Sequence, residues 1–142
     1  MLAEPVALAL AAAFAGAAYY INEAEQPARM ALNDGSLLAQ WKRSYARAVN
    51  MQAGLAALSG FFGLFVWWDT DDWRWLLAAV LILANWPYTL LVIKPINDQL
   101  NAIADRDAGA ASRALIVKWG RLHGFRTALG ILATGVYVWA LH

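Results

Sequence analysis

The sequence contains no cysteine, which rules out disulfides, thiolate metal sites and thiol nucleophiles. Charge is scarce too. Lys, Arg, Asp and Glu make up 15% of the 142 residues, where an average soluble domain carries about a quarter. The net charge of +1 gives no electrostatic reason to expect nucleic acid as a partner. Histidine occurs only at His123 and at the terminal His142, so no spaced set of metal ligands can be drawn and no metal is expected. Phosphate-binding glycine loops, dinucleotide fingerprints and catalytic triads are missing as well. Nothing beyond His123 itself speaks for a haem, and no cofactor is expected.

Apolar surface is abundant. Hydrophobic residues make up 61% of the chain, and eight of its residues are tryptophan. Four apolar runs stand out, at residues 5–21, 53–68, 75–93 and 127–141. Each falls a little short of the ~20 residues that span hydrocarbon, so each must borrow from a polar flank. This pattern predicts an integral, multi-pass membrane protein whose main partner is the lipid bilayer, in preference to an unusually apolar soluble bundle. Residues 6–18 imitate a signal peptide. No basic residue precedes them, however, and Glu4 stands in the position of the usual positive charge, so they read as a retained first membrane helix.

Breakers divide the chain. Pro27 cannot donate to the carbonyl of Glu23, so helix 1 is predicted to kink or end there. Asn33-Asp34-Gly35 signals a turn, with Ser36 as the expected N-cap of helix 2. No breaker interrupts residues 37–68, which predicts one long helix. The acidic turn at 69–72 follows it, and helix 3 starts near Trp73. Pro87 frees the carbonyl of Leu83 and predicts a second kink, and Lys94-Pro95 marks the exit of helix 3. Residues 97–111 are polar, with helix expected to about Asp107 and a break at Gly109. Helix 4 is expected from Ser112 to Leu141.

Short connections make sequential helices antiparallel neighbours. The fold class is therefore all-α: one domain over residues 1–142, an antiparallel four-helix transmembrane bundle with up-down-up-down order. That order gathers every Lys and Arg except Arg74 on the side of the two longer loops. By the positive-inside rule those loops are cytoplasmic and both termini lie outside. Tryptophans 67, 68, 73, 75 and 139 suit an aromatic belt at the outer interface. Gly54, Gly60 and Gly63 permit close helix contact, either within the chain or between copies in a homo-oligomer.

A helix advances about 100° per residue, and this sorts the polar groups. On helix 4, Trp119, His123, Arg126 and Thr127 share a face. On helix 1, Asn22, Glu25, Gln26 and Arg29 do so. Trp41, Tyr45, Ala48 and Gln52 align on helix 2. Asn85 and Thr89 align on helix 3, with Tyr88 at the edge. All four faces occur at one end of the bundle, which predicts a polar pocket open towards the cytoplasm. Intramembrane ionisable groups of this kind mark functional sites. In such a pocket the Glu25 carboxylate or the His123 imidazole can take a proton. Arg126 and Arg29, helped by Asn or Tyr donors, can hold an enolate or phenolate oxygen. Trp41, Trp86 and Trp119 can wall a flat aromatic ligand. The alternative is a structural ion-pair network of Glu25, Arg29 and Arg126, which is costly compared with apolar packing.

Several stretches in order carry a resemblance. They are residues 20–29 (YINEAEQPAR), Trp41…Tyr45…Arg47 with Met51-Gln52, Asn85-Trp86-Pro87-Tyr88-Thr89, Pro95-Ile96-Asn97, and Trp119-Gly120-Arg121-Leu122-His123…Arg126. Together they resemble the anthrone oxygenase-like family of small four-helix membrane proteins. The resemblance implies oxidation of an anthrone to an anthraquinone without a recognised cofactor. It also implies a site built from Glu25, Arg29, Tyr45, Gln52, Asn85, Thr89, His123 and Arg126, with a lipophilic aromatic small molecule as partner. Two other readings stay open beside it. One is a non-catalytic membrane protein that binds or transports a lipophilic anion, and the other is a bundle that docks a second protein.

Overall fold

Long apolar runs with few breakers make long helices, and the computed structural model, which describes residues 1–142, is built from four of them with no strand. Helix α1 (Ala3–Met30) does not stop at Pro27. The chain widens into a π turn at Ile21–Glu25, closed by the Gln26 N–H on the Ile21 carbonyl. Pro27 then enters the turn Gln26–Met30 near its start, where a missing N–H costs nothing. The helix therefore does not end at Pro27, and the irregularity expected there takes the form of a π turn.

Helix α2 (Asp34–Thr70) is a single 37-residue helix, as its unbroken sequence requires. Its N-cap is Asn33 in place of Ser36. The Asn33 side chain accepts from the Ser36 N–H at 2.9 Å, so Ser36 lies inside the first turn. The acidic turn is tighter than expected. Asp71 takes the left-handed conformation (φ 57°), and Asp72 caps the next helix by accepting from the Arg74 N–H at 3.0 Å. The Arg74 guanidinium beside it holds the Asp72 carboxyl below the usual carboxylate range. This cap therefore contributes above the ordinary carboxylate pKa and is lost as acid protonates it.

Helix α3 (Trp73–Ala102) is interrupted once, at Ala84, three residues before Pro87. The proline disturbs the turn that precedes it. The buried Asn85 amide donates to the Ile82 carbonyl at 3.0 Å inside the break. Lys94-Pro95 is not the exit. A second π turn, Thr89–Ile93, precedes Pro95 much as the first precedes Pro27, and α3 runs on to Ala102. A 3-10 turn at Asp105–Asp107 leads to Gly109, and α4 spans Ala110–Ala140. It starts before Ser112, whose hydroxyl closes on the Gly109 backbone at 3.0 Å.

Helices α1 and α3 each lie along both α2 and α4. One end of the bundle is held by Ala3, Ala7 and Ala11 with Val66, Trp75, Ala78 and Tyr137. The other is held by Ile21, Leu37, Leu38 and Trp41 with Ile93, Leu100, Ile116 and Trp119. The site lies just inside this second cluster. Helices α1, α2 and α3 are long and apolar enough to cross a membrane. α4 falls outside that set because His123 and Arg126 cut into its apolar stretch.

Two glycines of α2 are used within the chain. Gly60 receives the Leu83 side chain and Gly63 the Tyr137 hydroxyl, while Gly54 touches nothing. Gly130 of α4 fits against α1. A Cβ there would stand 2.8 Å from the Phe14 ring and 3.3 Å from the Ala15 backbone. Gly130→Ala should therefore lower the thermal midpoint of the detergent-solubilised protein, with an overpacking cost of about 1–3 kcal/mol. Gly135→Ala, with open space around it, should not. Equal midpoints in circular-dichroism melts would contradict this packing.

Candidate functional site

The first π turn brings Asn22 against α4. Its amide donates to the Gly120 carbonyl at 2.9 Å, which fixes the carboxamide orientation. The oxygen is then an acceptor on the other side, where the Thr127 hydroxyl donates at 2.7 Å and His123 Nδ1 lies at 2.8 Å. Because that oxygen can only accept, Nδ1 carries the hydrogen and Nε2 keeps the basic lone pair. Gln26 adds a second clamp, donating to the Ile116 carbonyl at 2.9 Å. Both clamps need close approach of the helices, and a Cβ at Gly120 would meet the Gln26 amide.

An aromatic stack continues from the imidazole. His123 stacks on Trp119 at 4.9 Å, Trp119 meets Trp41 edge-on at 5.9 Å, and Trp41 stacks on Tyr45 at 5.0 Å. The buried Arg29 guanidinium lies over the Trp119 ring at 5.5 Å. Arg29 pairs with Glu25 at 2.6 Å. The same carboxylate oxygen accepts from the Ser44 hydroxyl and, at 3.3 Å, from the Gln40 amide. Glu25 and Arg29 thus form an ion pair tied to α2, with Arg29 Nε and Nη1 buried without an acceptor, and Arg126 is not part of it.

Arg126 has no carboxylate partner. Its guanidinium lies 5.5 Å from the Phe14 ring centroid, and its Nε is buried without an acceptor. It lines two adjoining cavities. The inner one, about 20 Å³, is bounded by Tyr45, Thr89, Asn97, His123 and Arg126 among others. That is room for one water. The outer one, about 240 Å³, lies between α2 and α3. The two share Val49, Gln52, Thr89 and Arg126 as walls. Around them the polar side chains are unsatisfied: both ends of Gln52, Asn85 Oδ1, Thr89 Oγ1 and Asn97 Oδ1 have no partner within the chain. Gln52, Asn85 and Asn97 are almost fully buried, so unfilled hydrogen-bonding capacity is costly there.

Of the residues expected from sequence, Tyr45, Gln52, Asn85, Thr89, Trp119, His123 and Arg126 line the cavities. Asn22 and Trp41 stand behind the lining and hold His123 and the aromatic stack. Glu25 and Arg29 sit beside it as an ion pair. Tyr88 points elsewhere, donating to the Leu122 carbonyl at 2.8 Å and packing on Phe125. Ser44 and Asn97 were missed. Ser44 lies one turn past Gln40, so both can reach Glu25. Asn97 follows Thr89 and Ile93 at four-residue steps, but it falls past the proline that reads as the end of helix 3.

The anthrone oxygenase family model matches residues 41–136. The chain is also 31% identical over 138 residues to a protein of Claviceps purpurea (strain 20.1) named anthrone oxygenase, covering 87% of this chain and 79% of the relative. The chain belongs to the anthrone oxygenase family. No solved structure matches it. The stretch matched to the anthrone oxygenase model takes in Trp41, Tyr45, Gln52, Asn85, Thr89, Trp119, His123 and Arg126, while Asn22, Glu25 and Arg29 lie ahead of it.

The tautomer can be checked directly. With ¹⁵N-labelled histidine, His123 should show a protonated Nδ1 and an unprotonated Nε2 in NMR spectra of the detergent-solubilised protein. Asn22→Leu should remove that bias. An unprotonated Nδ1 in the unaltered protein would refute the assignment.

Proposed function

We propose that this protein is a membrane oxygenase that acts on a flat, lipophilic, phenolic compound of the anthrone type. In this reading the four helices cross the bilayer up-down-up-down, with the longer loops cytoplasmic and both termini outside. α4 is carried across by burying its polar face in the bundle. The observation that supports the reading most is Arg126. An unpaired guanidinium next to unsatisfied Gln52, Asn85 and Thr89, on a cavity of about 240 Å³, suits an anionic oxygen on an apolar ring system.

The chemistry follows from the residues present. The ring system occupies the outer cavity, with its reacting carbon towards the inner one. His123 Nε2 takes a proton from the methylene between the rings. The charge passes to the ring oxygen, where Arg126 holds it. The electron-rich anion reduces dioxygen and forms a carbon–oxygen bond, and His123 returns the proton to give a hydroperoxide. Loss of the second hydrogen on that carbon, with cleavage of the O–O bond, leaves a carbonyl and one water. One dioxygen is consumed, and the carbon is oxidised from methylene to ketone. Glu25 and Arg29 position Trp119 and Ser44 around the reacting ring without touching it.

Oxygen uptake with anthrone in proteoliposomes tests this. His123→Ala should lower turnover about 10²–10⁴-fold, the usual weight of a general base. Arg126→Gln should lower kcat/KM, and Tyr88→Phe should leave turnover near that of the unaltered chain. If anthrone binds saturably but His123→Ala matches the unaltered protein in oxygen uptake, the oxygenase reading fails and the site is one for binding or transport of a lipophilic anion.

A further inference from the structure

The outer cavity is walled by α2 and α3, and its exposed lining residues are Asn50, Trp86 and Leu90. At the site's end of the bundle the apolar cluster of Leu37, Leu38, Trp41, Leu100, Ile116 and Trp119 fills the space between the helices. On the flank, α2 and α3 pack together along Trp73–Leu83 and part beyond Ala84, where Pro87 has broken the helix. The gap is widened by small side chains, Ala53 and Ala56, on the facing wall of α2. Its rim is Trp86 and Leu90 on α3 and the single polar side chain of Asn50 on α2, all exposed, with Met51 and Leu91 exposed nearby. A flank of this composition belongs against acyl chains.

We propose that this opening is a lateral portal, through which a flat lipophilic ligand enters the site directly from the bilayer. The proposal rests on the membrane placement and the site described above, and adds the route. The ligand slides in along its long axis, one outer ring staying at the mouth against Val49, Ala53, Leu90 and the Trp86 indole. Its oxygen then meets Gln52, Asn85, Thr89 and Arg126, with the carbon across the central ring directed towards His123. A lipid acyl chain fits the mouth as well, but brings no acceptor for Arg126 or Gln52. The buried, unsatisfied atoms therefore favour a ligand with a polar head. This route keeps a poorly soluble substrate out of water throughout.

The absence of cysteine makes the test clean, because a single introduced thiol is the only one. Ala53→Cys and Leu90→Cys report on the portal, Ser36→Cys on the aqueous surface and Phe61→Cys on the lipid-facing surface away from the mouth. In lipid nanodiscs, the 53 and 90 thiols should react at least about tenfold faster with N-pyrenylmaleimide than with a sulfonated maleimide, since the charged reagent is excluded from an apolar opening. The thiol at 36 should react with both reagents. 1-Hydroxyanthraquinone dissolved in the nanodisc lipid should slow labelling at 53 and leave 61 unchanged. Two thiols guard against one variant failing to fold. Labelling of 53 and 90 by the sulfonated reagent as fast as 36 overturns the portal, and so does an absence of protection by the quinone. Because labelling needs no turnover, the result stands apart from oxygen uptake. If the quinone also shows no saturable fluorescence change, the site reading falls with the portal.

Discussion

A guanidinium without a counter-charge is the most demanding group in this bundle, and the site is organised around it. Placing an arginine deep in an apolar helix costs about 3 kcal/mol or more, depending on how well water and headgroups reach it. Arg29, which is fully buried, has Glu25 within 2.6 Å. Arg126 has only the Phe14 ring and a cavity. Around it and the small inner cavity stand Gln52, Asn85, Thr89 and Asn97, each with an unused donor or acceptor. A fold that merely needed stability would fill such a space with apolar side chains. An anionic or strongly polar ligand gives the same groups their missing partners.

The geometry that permits this comes from three prolines. Pro27 and Pro95 each follow a π turn, and Pro87 follows the break at Ala84. A π turn inserts one residue without ending the helix, so it rotates the side chains beyond it. The first turn presents Asn22 to His123 and Thr127. The second keeps Asn97 on the cavity after Thr89 and Ile93. The break at Ala84 separates α3 from α2 where the outer cavity lies. Irregular backbone is concentrated at the level of the site, while the opposite end of the bundle packs on unbroken helix.

Much of this is legible in the residues alone. The four helices follow from the apolar runs, and the shared faces follow from the helical period. That is why Tyr45, Gln52, Asn85, Thr89, Trp119, His123 and Arg126 can be grouped from the sequence, and all of them line the two cavities. The failures cluster at proline and at caps. Reading Pro27 as a kink or end and Lys94-Pro95 as an exit assumes that a lost N–H must disrupt a helix, whereas a π turn can carry the chain past it. Asn97 was missed for that reason, and so the inner cavity lost one wall. Asn33 reads as part of a turn and Ser36 as the cap, yet Asn33 does the capping, because only the backbone angles at 33 show where the helix begins. Tyr88 shares the edge of the right face, yet the break just before it turns the hydroxyl towards Leu122.

The all-helical character, the membrane-like composition, the family and the residues that share a face all follow from the order of residues, because hydrophobic period and residue chemistry are local properties. Tertiary structure alone decided which charges pair and which stay free. Glu25, Arg29 and Arg126 are compatible in sequence with a single network. In space Glu25 is held by Arg29, Ser44 and Gln40, and Arg126 is left facing the cavity. The larger cavity lies between α2 and α3, where the helix breaks before Pro87, while an apolar cluster fills the space beyond the site at that end of the bundle. Both outcomes depend on side-chain volumes meeting across different helices, which no periodicity along one chain can record.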